Sequence, residues 1–186
     1  MEEINKFRIF NKLKTVNRLN SVGNRKESSA EHSWSCLILA DFFLSKLSLK
    51  MNRLKVYELL MYHDIVEIEA GDSPLHPELK KLNKKDKEQK ASEFLKKKLP
   101  TPLNTKFLTI FQEFEEQKTI ESRFAKAIDA LDAVIHELDY KEDWKTWSEK
   151  FLVEHKMHFF EEFPELKDAF NDILKFCKEN SYFTSL

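Results

Sequence analysis

Only two glycines and five prolines punctuate this chain of 186 residues. A sheet protein needs many tight turns, and hairpins in particular lean on glycine at positive φ. The shortage of turn residues predicts an all-α helical bundle, and the length suits a single domain over residues 1–186 with one hydrophobic core. Sixteen phenylalanines in a 41% hydrophobic chain supply that core, while 34% charged residues cover the outward helix faces. The 31 basic residues balance 32 acidic ones, so no global positive field favours nucleic acid as a partner, although a small charged ligand remains allowed. Cys36 and Cys177 lie far apart in apolar helical patterns, as expected of buried free thiols in a reducing cytosol. No stretch approaches the roughly 20 apolar residues of a membrane span, and the start has no signal-peptide core, so the expected location is cytoplasmic with no membrane contact.

Ile4, Phe7, Phe10, Leu13 and Val16 recur every three residues and predict a first amphipathic helix ending near Arg18. A polar segment from Leu19 to Glu27 follows. Ser28-Ser29-Ala30-Glu31 then reads as a capping box that opens a second helix and puts His32 in its first turn. Cys36, Leu39, Ala40, Phe43 and Leu47 continue the same face, so His32 points toward the core. A third helix is expected from about Leu54 to Ile68, with Val56, Leu59, Leu60, His63, Asp64 and Glu67 along one stripe. Gly71 is its C-cap, and Asp72 lies on the loop before Pro74. Lys80 to Lys98 reads as an exposed lysine-rich helix, and Leu103 to Phe114 as a short amphipathic one. The segment from Thr119 to Leu138 is a long helix whose apolar side is interrupted by Asp129. Aromatic residues from Trp144 onward suggest two closing helices.

Three helices thus place an ionisable group, near residues 32, 63 and 129, where a hydrophobic stripe calls for an apolar side chain. Burying such groups is costly unless they are paired or hold a metal. If the three helices pack together, two imidazoles and two carboxylates converge, a donor set suited to a divalent transition metal or Mg²⁺.

The segments A-E-H-S-W, L-L-M-Y-H-D-I-V-E-I-E-A-G-D and K-A-I-D-A-L, in that order, resemble the HD-domain superfamily of metal-dependent phosphohydrolases. Within it the chain is most similar to the bacterial 5'-deoxynucleotidases and their eukaryotic HD-domain-containing relatives. The likeness runs from about Arg18 to Leu138, and residues 139–186 lie outside it as helices that complete the bundle or form an interface, including that of a homodimer. The resemblance implies an HD-type bundle with His32, His63, Asp64 and Asp129 as ligands of one divalent ion. Co, Mn, Mg, Ni, Fe and Zn all remain open. It also implies catalytic roles for Glu67 and Asp72, which could hold a second ion, and a phosphate-binding role for Arg18, with Arg25 a further candidate. Asp132, one turn from Asp129, rivals it as fourth ligand, but Asp129 holds the acid position of the K-x-x-D-x-L pattern formed with Lys126 and Leu131. His76, His136, His155 and His158 have no place in the pattern and read as structural.

The function so implied is hydrolysis of a phosphomonoester, most plausibly a nucleoside or deoxynucleoside 5'-monophosphate, by metal-activated water. The deoxynucleotidases carry tryptophan directly after the substrate arginine, whereas this chain has Leu19, which leaves the choice between deoxyribose and ribose open. Two alternatives stand beside hydrolysis. One is a non-catalytic nucleotide-sensing module. The other is a di-iron oxygenase, disfavoured because His76 alone lies between the central His-Asp pair and the last aspartate.

Overall fold

The computed structural model describes residues 1–76 and 84–183, and their fold is mostly helical. Helix α1 (Glu2–Phe7) runs into a 3-10 segment (Arg8–Thr15), followed by strands β1 (Asn17–Val22) and β2 (Arg25–Ser28). Then come α2 (Ser29–Leu44), α3 (Arg53–Tyr62), a 3-10 turn (His63–Val66) and the short α4 (Glu67–Ala70). The remainder is α5 (Lys84–Lys98), α6 (Leu103–Glu116), α7 (Ile120–Glu137), a 3-10 turn (Lys141–Trp144), α8 (Glu149–Phe160) and α9 (Pro164–Glu179). The expected start of the lysine-rich helix at Lys80 falls outside the described residues.

Two local expectations are corrected. The N-terminal stretch is not one α-helix, because an apolar repeat of three residues fits the three-residue turn of a 3-10 helix, in which positions i and i+3 eclipse. Leu13 is buried there, whereas Ile4 and Phe7 remain exposed. The polar segment after it is an antiparallel hairpin, paired from Asn17 with Ser28 to Val22 with Arg25, and Gly23 turns it at φ 58°. One of the two glycines therefore supplies the single hairpin among the described residues.

The capping box forms as expected. Ser28 Oγ accepts from the Glu31 backbone N–H, and the Glu31 carboxylate accepts from the Ser28 N–H at 2.9 Å. This fixes where α2 begins and so fixes the depth of His32. Thr119 caps α7 in the same manner, accepting from the Ser122 N–H.

Helix α7 is the centre of the bundle, with α2, α3, α6, α8 and α9 packed around it. Its Phe124, Ala125, Ala127, Ile128 and Leu131 are fully buried. The C-terminal helices add Leu152, Phe160, Phe163, Leu166 and Phe170 to the same core. On α2 the face away from α7 leaves Trp34, Ile38 and Phe42 exposed at four-residue spacing. Both cysteines are buried and free. No helix among the described residues is long and apolar enough to cross a membrane.

Phe124 and Phe163 meet edge to face at 5.3 Å between centroids, joining α7 to the start of α9. Phe124→Ala is expected to cost about 3–5 kcal/mol through lost burial and an unfilled cavity. The midpoint and slope of urea unfolding measure it. A loss below about 1 kcal/mol would show that the α7–α9 contact is not part of the core.

Candidate metal centre and active site

His32 lies fully buried between α2 and α7, with both ring nitrogens engaged by carboxylates of α7. Its Nε2 is 3.0 Å from Asp129 Oδ1 and its Nδ1 is 2.9 Å from Asp132 Oδ2. Ser35 Oγ donates to the other Asp132 oxygen at 2.6 Å. The two aspartates are three residues apart on α7 and reach opposite edges of one imidazole. They therefore stand in different places: Asp129 is on the edge that faces His63, whereas Asp132 holds the opposite edge, where carboxylates stand behind metal-ligating histidines. Burial and the Arg18 cation act against charge on His32, but Cys36 and the hydrogen bonds to Asp129 and Asp132 prevail and raise its pKa well above the ordinary value. Burial likewise opposes ionisation of Asp129, yet His32, Lys126 and His63 hold its pKa well below the usual range.

The segment expected as one helix from Leu54 to Ile68 is broken by the 3-10 turn at His63–Val66. The tighter turn brings positions three apart into line, so Asp64 and Glu67 fall on one side. Such a break inside a helical run often marks a functional site. His63 Nδ1 donates to the Leu60 carbonyl at 2.7 Å, which directs the unprotonated Nε2 inward. That Nε2 lies 3.1 Å from Asp64 Oδ1 and 3.9 Å from Asp129 Oδ1, and the His32 and His63 rings are 5.5 Å apart. Burial lowers the pKa of His63 and so favours its neutral, ligating form.

These residues fit a divalent ion by a specific observation. His63 Nε2 and Asp64 Oδ2 are buried without a hydrogen-bond partner, an arrangement that costs free energy unless a further group satisfies them. Cys36 Sγ also lies within 4.8 Å of donor atoms of His32 and His63. It is nearly equidistant from the two His32 nitrogens, at 3.6 and 3.7 Å, so neither is aimed at it. Burial pushes its thiol up to about 12, against the thiolate that a metal requires.

The centre opens into a cavity of about 720 Å³. Glu67 lines it, buried, and accepts a 2.6 Å hydrogen bond from Ser29 Oγ. Burial, Asp64 and Asp72 push its carboxyl up to about 9. Asp72 lines the same cavity beyond Gly71, and burial raises its pKa as well. Arg18 on β1 reaches in with Nε donating to Glu27 at 3.1 Å and one terminal nitrogen 3.6 Å from Asp64 Oδ2. The hairpin thus has a purpose that its sequence hid: Glu27 on β2 holds the Arg18 side chain.

Arg25 is not brought to this cavity. Its guanidinium, half exposed, is bidentate with the Glu31 carboxylate at 2.5 and 2.9 Å, and it belongs to a separate shallow groove. His136 and His155 bond to the carbonyls of Ser21 and Phe151, and His76 lies 3.0 Å from Thr146 Oγ1. Reading the sequence missed Lys156 on α8. Its buried ammonium lines the cavity and donates to the Ala130 carbonyl at 2.8 Å, and burial brings its pKa down to about 8. A signal was present, because Lys156 interrupts the buried spacing of Leu152 and Phe160 as Asp129 interrupts α7.

Asp132→Ala is expected to weaken divalent-metal binding about 10- to 100-fold, because His32 loses its orienting partner. Calorimetric titration with Mn²⁺ reads this, and unchanged affinity would refute the orienting role. A second expectation concerns pH. Glu67, at about 9, and His32, raised well above 6.5, retain protons in the folded metal-free chain that the unfolded chain releases. Stability should therefore fall as pH rises from about 6.5 to about 8. Urea midpoints across that interval test the sign, and a rise would refute it.

Comparison with known proteins bears on the family and the fold. Residues 10–167 match the family model described as HD domain. The chain is 29% identical over 118 residues to a 5'-deoxynucleotidase HDDC2 of Xenopus laevis, a match covering 63% of this chain and 57% of the relative. It thus spans little more than half the length of that relative. The HDDC2 of Dictyostelium discoideum is 24% identical over 144 residues, covering 73% of this chain and 75% of the relative. A crystal structure from Magnetospirillum magnetotacticum MS-1, titled a predicted metal-dependent phosphohydrolase, superposes with a TM-score of 0.85 at 26% identity, covering 99% of this chain and 95% of that one. An HD-domain phosphohydrolase from Listeria innocua, at 17% identity and a TM-score of 0.64, shares the fold. With its His, His-Asp and Asp elements on three packed helices and a family match over most of its length, the chain belongs to the HD-domain family.

Proposed function

We propose that this chain hydrolyses a phosphomonoester, with a nucleoside 5'-monophosphate as substrate and a divalent ion held by His32, His63, Asp64 and Asp129. The observation that carries the reading is the pair of orphaned buried atoms, His63 Nε2 and Asp64 Oδ2, beside a cavity that also receives Arg18 and Glu67. The deoxynucleotidase names of the relatives support a nucleotide substrate at the level of resemblance. When bound, the ion supplies Lewis acidity and lowers the pKa of water.

The protein's own residues divide the remaining work. Arg18, fixed by Glu27 and facing Asp64, brings positive charge to a phosphate dianion entering the cavity. In the metal-free chain burial and two acidic neighbours raise the Glu67 carboxyl to about 9, which suits a group that exchanges a proton with water or with the leaving alcohol. Ser29 fixes the rotamer of that carboxyl. Asp72, which follows Gly71 and lines the cavity, would orient the water or join Glu67 in holding a second ion. Leu19 lines the cavity beside Arg18 and is 41% exposed, and its side chain brings no hydrogen-bonding group to a sugar hydroxyl.

Phosphate release from a panel of ribo- and deoxyribonucleoside 5'-monophosphates, with Co²⁺, Mn²⁺ or Mg²⁺ supplied, tests the reading. Release from none with any ion would favour a nucleotide-sensing protein. Asp64→Ala is expected to abolish metal binding, while Glu67→Gln keeps the metal and lowers turnover by about 10²- to 10⁴-fold. Equal loss of metal in both variants would refute the division of roles.

A further inference from the structure

The cavity extends well beyond what a phosphate group needs, and α7 forms one continuous wall of it. Asp129, Ala133 and Glu137 all line the cavity and follow one another at four-residue spacing, so they lie along a single helix face. Eight residues of helix separate the two carboxylates by about 12 Å along the axis. Between them Ala130, Ala133 and Val134 line the cavity, and none of these side chains carries a polar group.

Glu137 is the last residue of α7 and is firmly held there. Its carbonyl accepts a 2.6 Å hydrogen bond from Nε1 of Trp144, whose side chain is almost fully buried, and the next carbonyl, that of Leu138, accepts from Tyr182. Its side chain, by contrast, is unsatisfied. Oε2 is buried and has no hydrogen-bond partner, a state that buried carboxyl oxygens seldom keep without a ligand or water to meet them. The neighbouring charges are Asp143, Lys26, Lys156 and Glu27, and none forms a hydrogen bond with that oxygen. Burial first and Asp143 second push the carboxyl up to about 8, so at neutral pH it offers both a donor and an acceptor.

We infer that Glu137 is a specificity-determining residue that hydrogen-bonds the nucleoside part of the substrate, with the phosphate at the Asp129 end and the sugar lying over Ala133. This inference rests on the proposed hydrolysis of nucleoside monophosphates and names the group in the chain that reads the leaving nucleoside. The complementary chemistry is a paired donor and acceptor, present both on a sugar hydroxyl and on the amino edge of adenine or cytosine.

The test compares KM values of the metal-loaded enzyme for AMP, 2'-deoxy-AMP, 2',3'-dideoxy-AMP and purine riboside 5'-monophosphate, in the wild-type protein and in Glu137→Ala. The wild type is expected to show a KM about tenfold higher for the analogue that lacks the recognised group, the dideoxy form if a sugar hydroxyl is read and the purine riboside if the amine is read. In Glu137→Ala that ratio should fall toward one, with KM rising about tenfold for the substrates that carry the group and kcat changing less. Ala133→Leu keeps the carboxyl, fills the space over the helix and should raise KM for all four nucleotides, which keeps the test open if Glu137→Ala does not fold. Enzyme that hydrolyses these nucleotides with the same KM ratios in Glu137→Ala as in the wild type, or with an Ala133→Leu variant of unaltered KM, would overturn the inference alone. Failure of the wild type to release phosphate from any of them would overturn the proposed function and the inference with it.

Discussion

The clamp of two α7 carboxylates on the His32 imidazole is the contact on which the rest of this structure depends. It ties α2 to α7 across the middle of the bundle, and it is a buried polar network that is satisfied on every side, by Asp129, Asp132 and Ser35. Such a network is costly when incomplete, so the helices must meet in one register or pay the desolvation of an unpaired charge. Phenylalanine and leucine packing alone would tolerate small slips between helices. A histidine held from both edges does not.

That register has consequences at the other helices. Once α2 and α7 are fixed, α3 can bring His63 beside Asp129 only if its end turns inward, and the 3-10 turn at His63–Val66 accomplishes this. The same tightening aligns Asp64 with Glu67, so the proposed ligands and the buried Glu67 carboxyl owe their common side to one local departure from α-helical geometry. The unsatisfied atoms of His63 and Asp64 are what remains when the protein scaffold alone is considered. At His63 this is what a scaffold prepared for an ion should look like: the outer nitrogen is held by the Leu60 carbonyl, and the inner one has no hydrogen-bond partner.

Around that centre the chain arranges charge with distance. Asp64, Glu67, Asp72 and Asp129 crowd the ion end of the cavity, and Arg18 enters among them on a hairpin held by Glu27. Lys156 comes from α8 and Glu137 from the far end of α7, so the helices beyond the original motif region furnish part of the same wall. The C-terminal residues therefore do more than cover core phenylalanines. They line the part of the cavity that lies away from His63 and Asp64.

The helical class, the capping box at Ser28, the inward face of His32 and the interruption of α7 at Asp129 were legible in the sequence, because each follows from spacing along one element and from the cost of burying a polar side chain. The hairpin was not. Its pairing joins residues up to 11 apart by backbone bonds that leave no strong periodic trace in so short a segment, and only its Gly23 hints at a turn. Nor could one strand of sequence separate Asp129 from Asp132 by spacing alone, since both sit one helical turn apart and both approach His32. The tertiary structure places His32 between them, with Asp129 on the edge that faces His63 and Asp132 on the opposite edge. It separates the two arginines as well: the Glu31 carboxylate, which also caps α2, pairs with the Arg25 guanidinium at the surface, while Arg18 on the opposite strand reaches inward to Asp64. The sequence by itself determined the helical class and that His32, His63 and Asp64 interrupt apolar stripes, because spacing along one element suffices for both. Which atoms they face depended on helix register and strand direction, long-range properties that arise only when distant segments compete for the same buried volume.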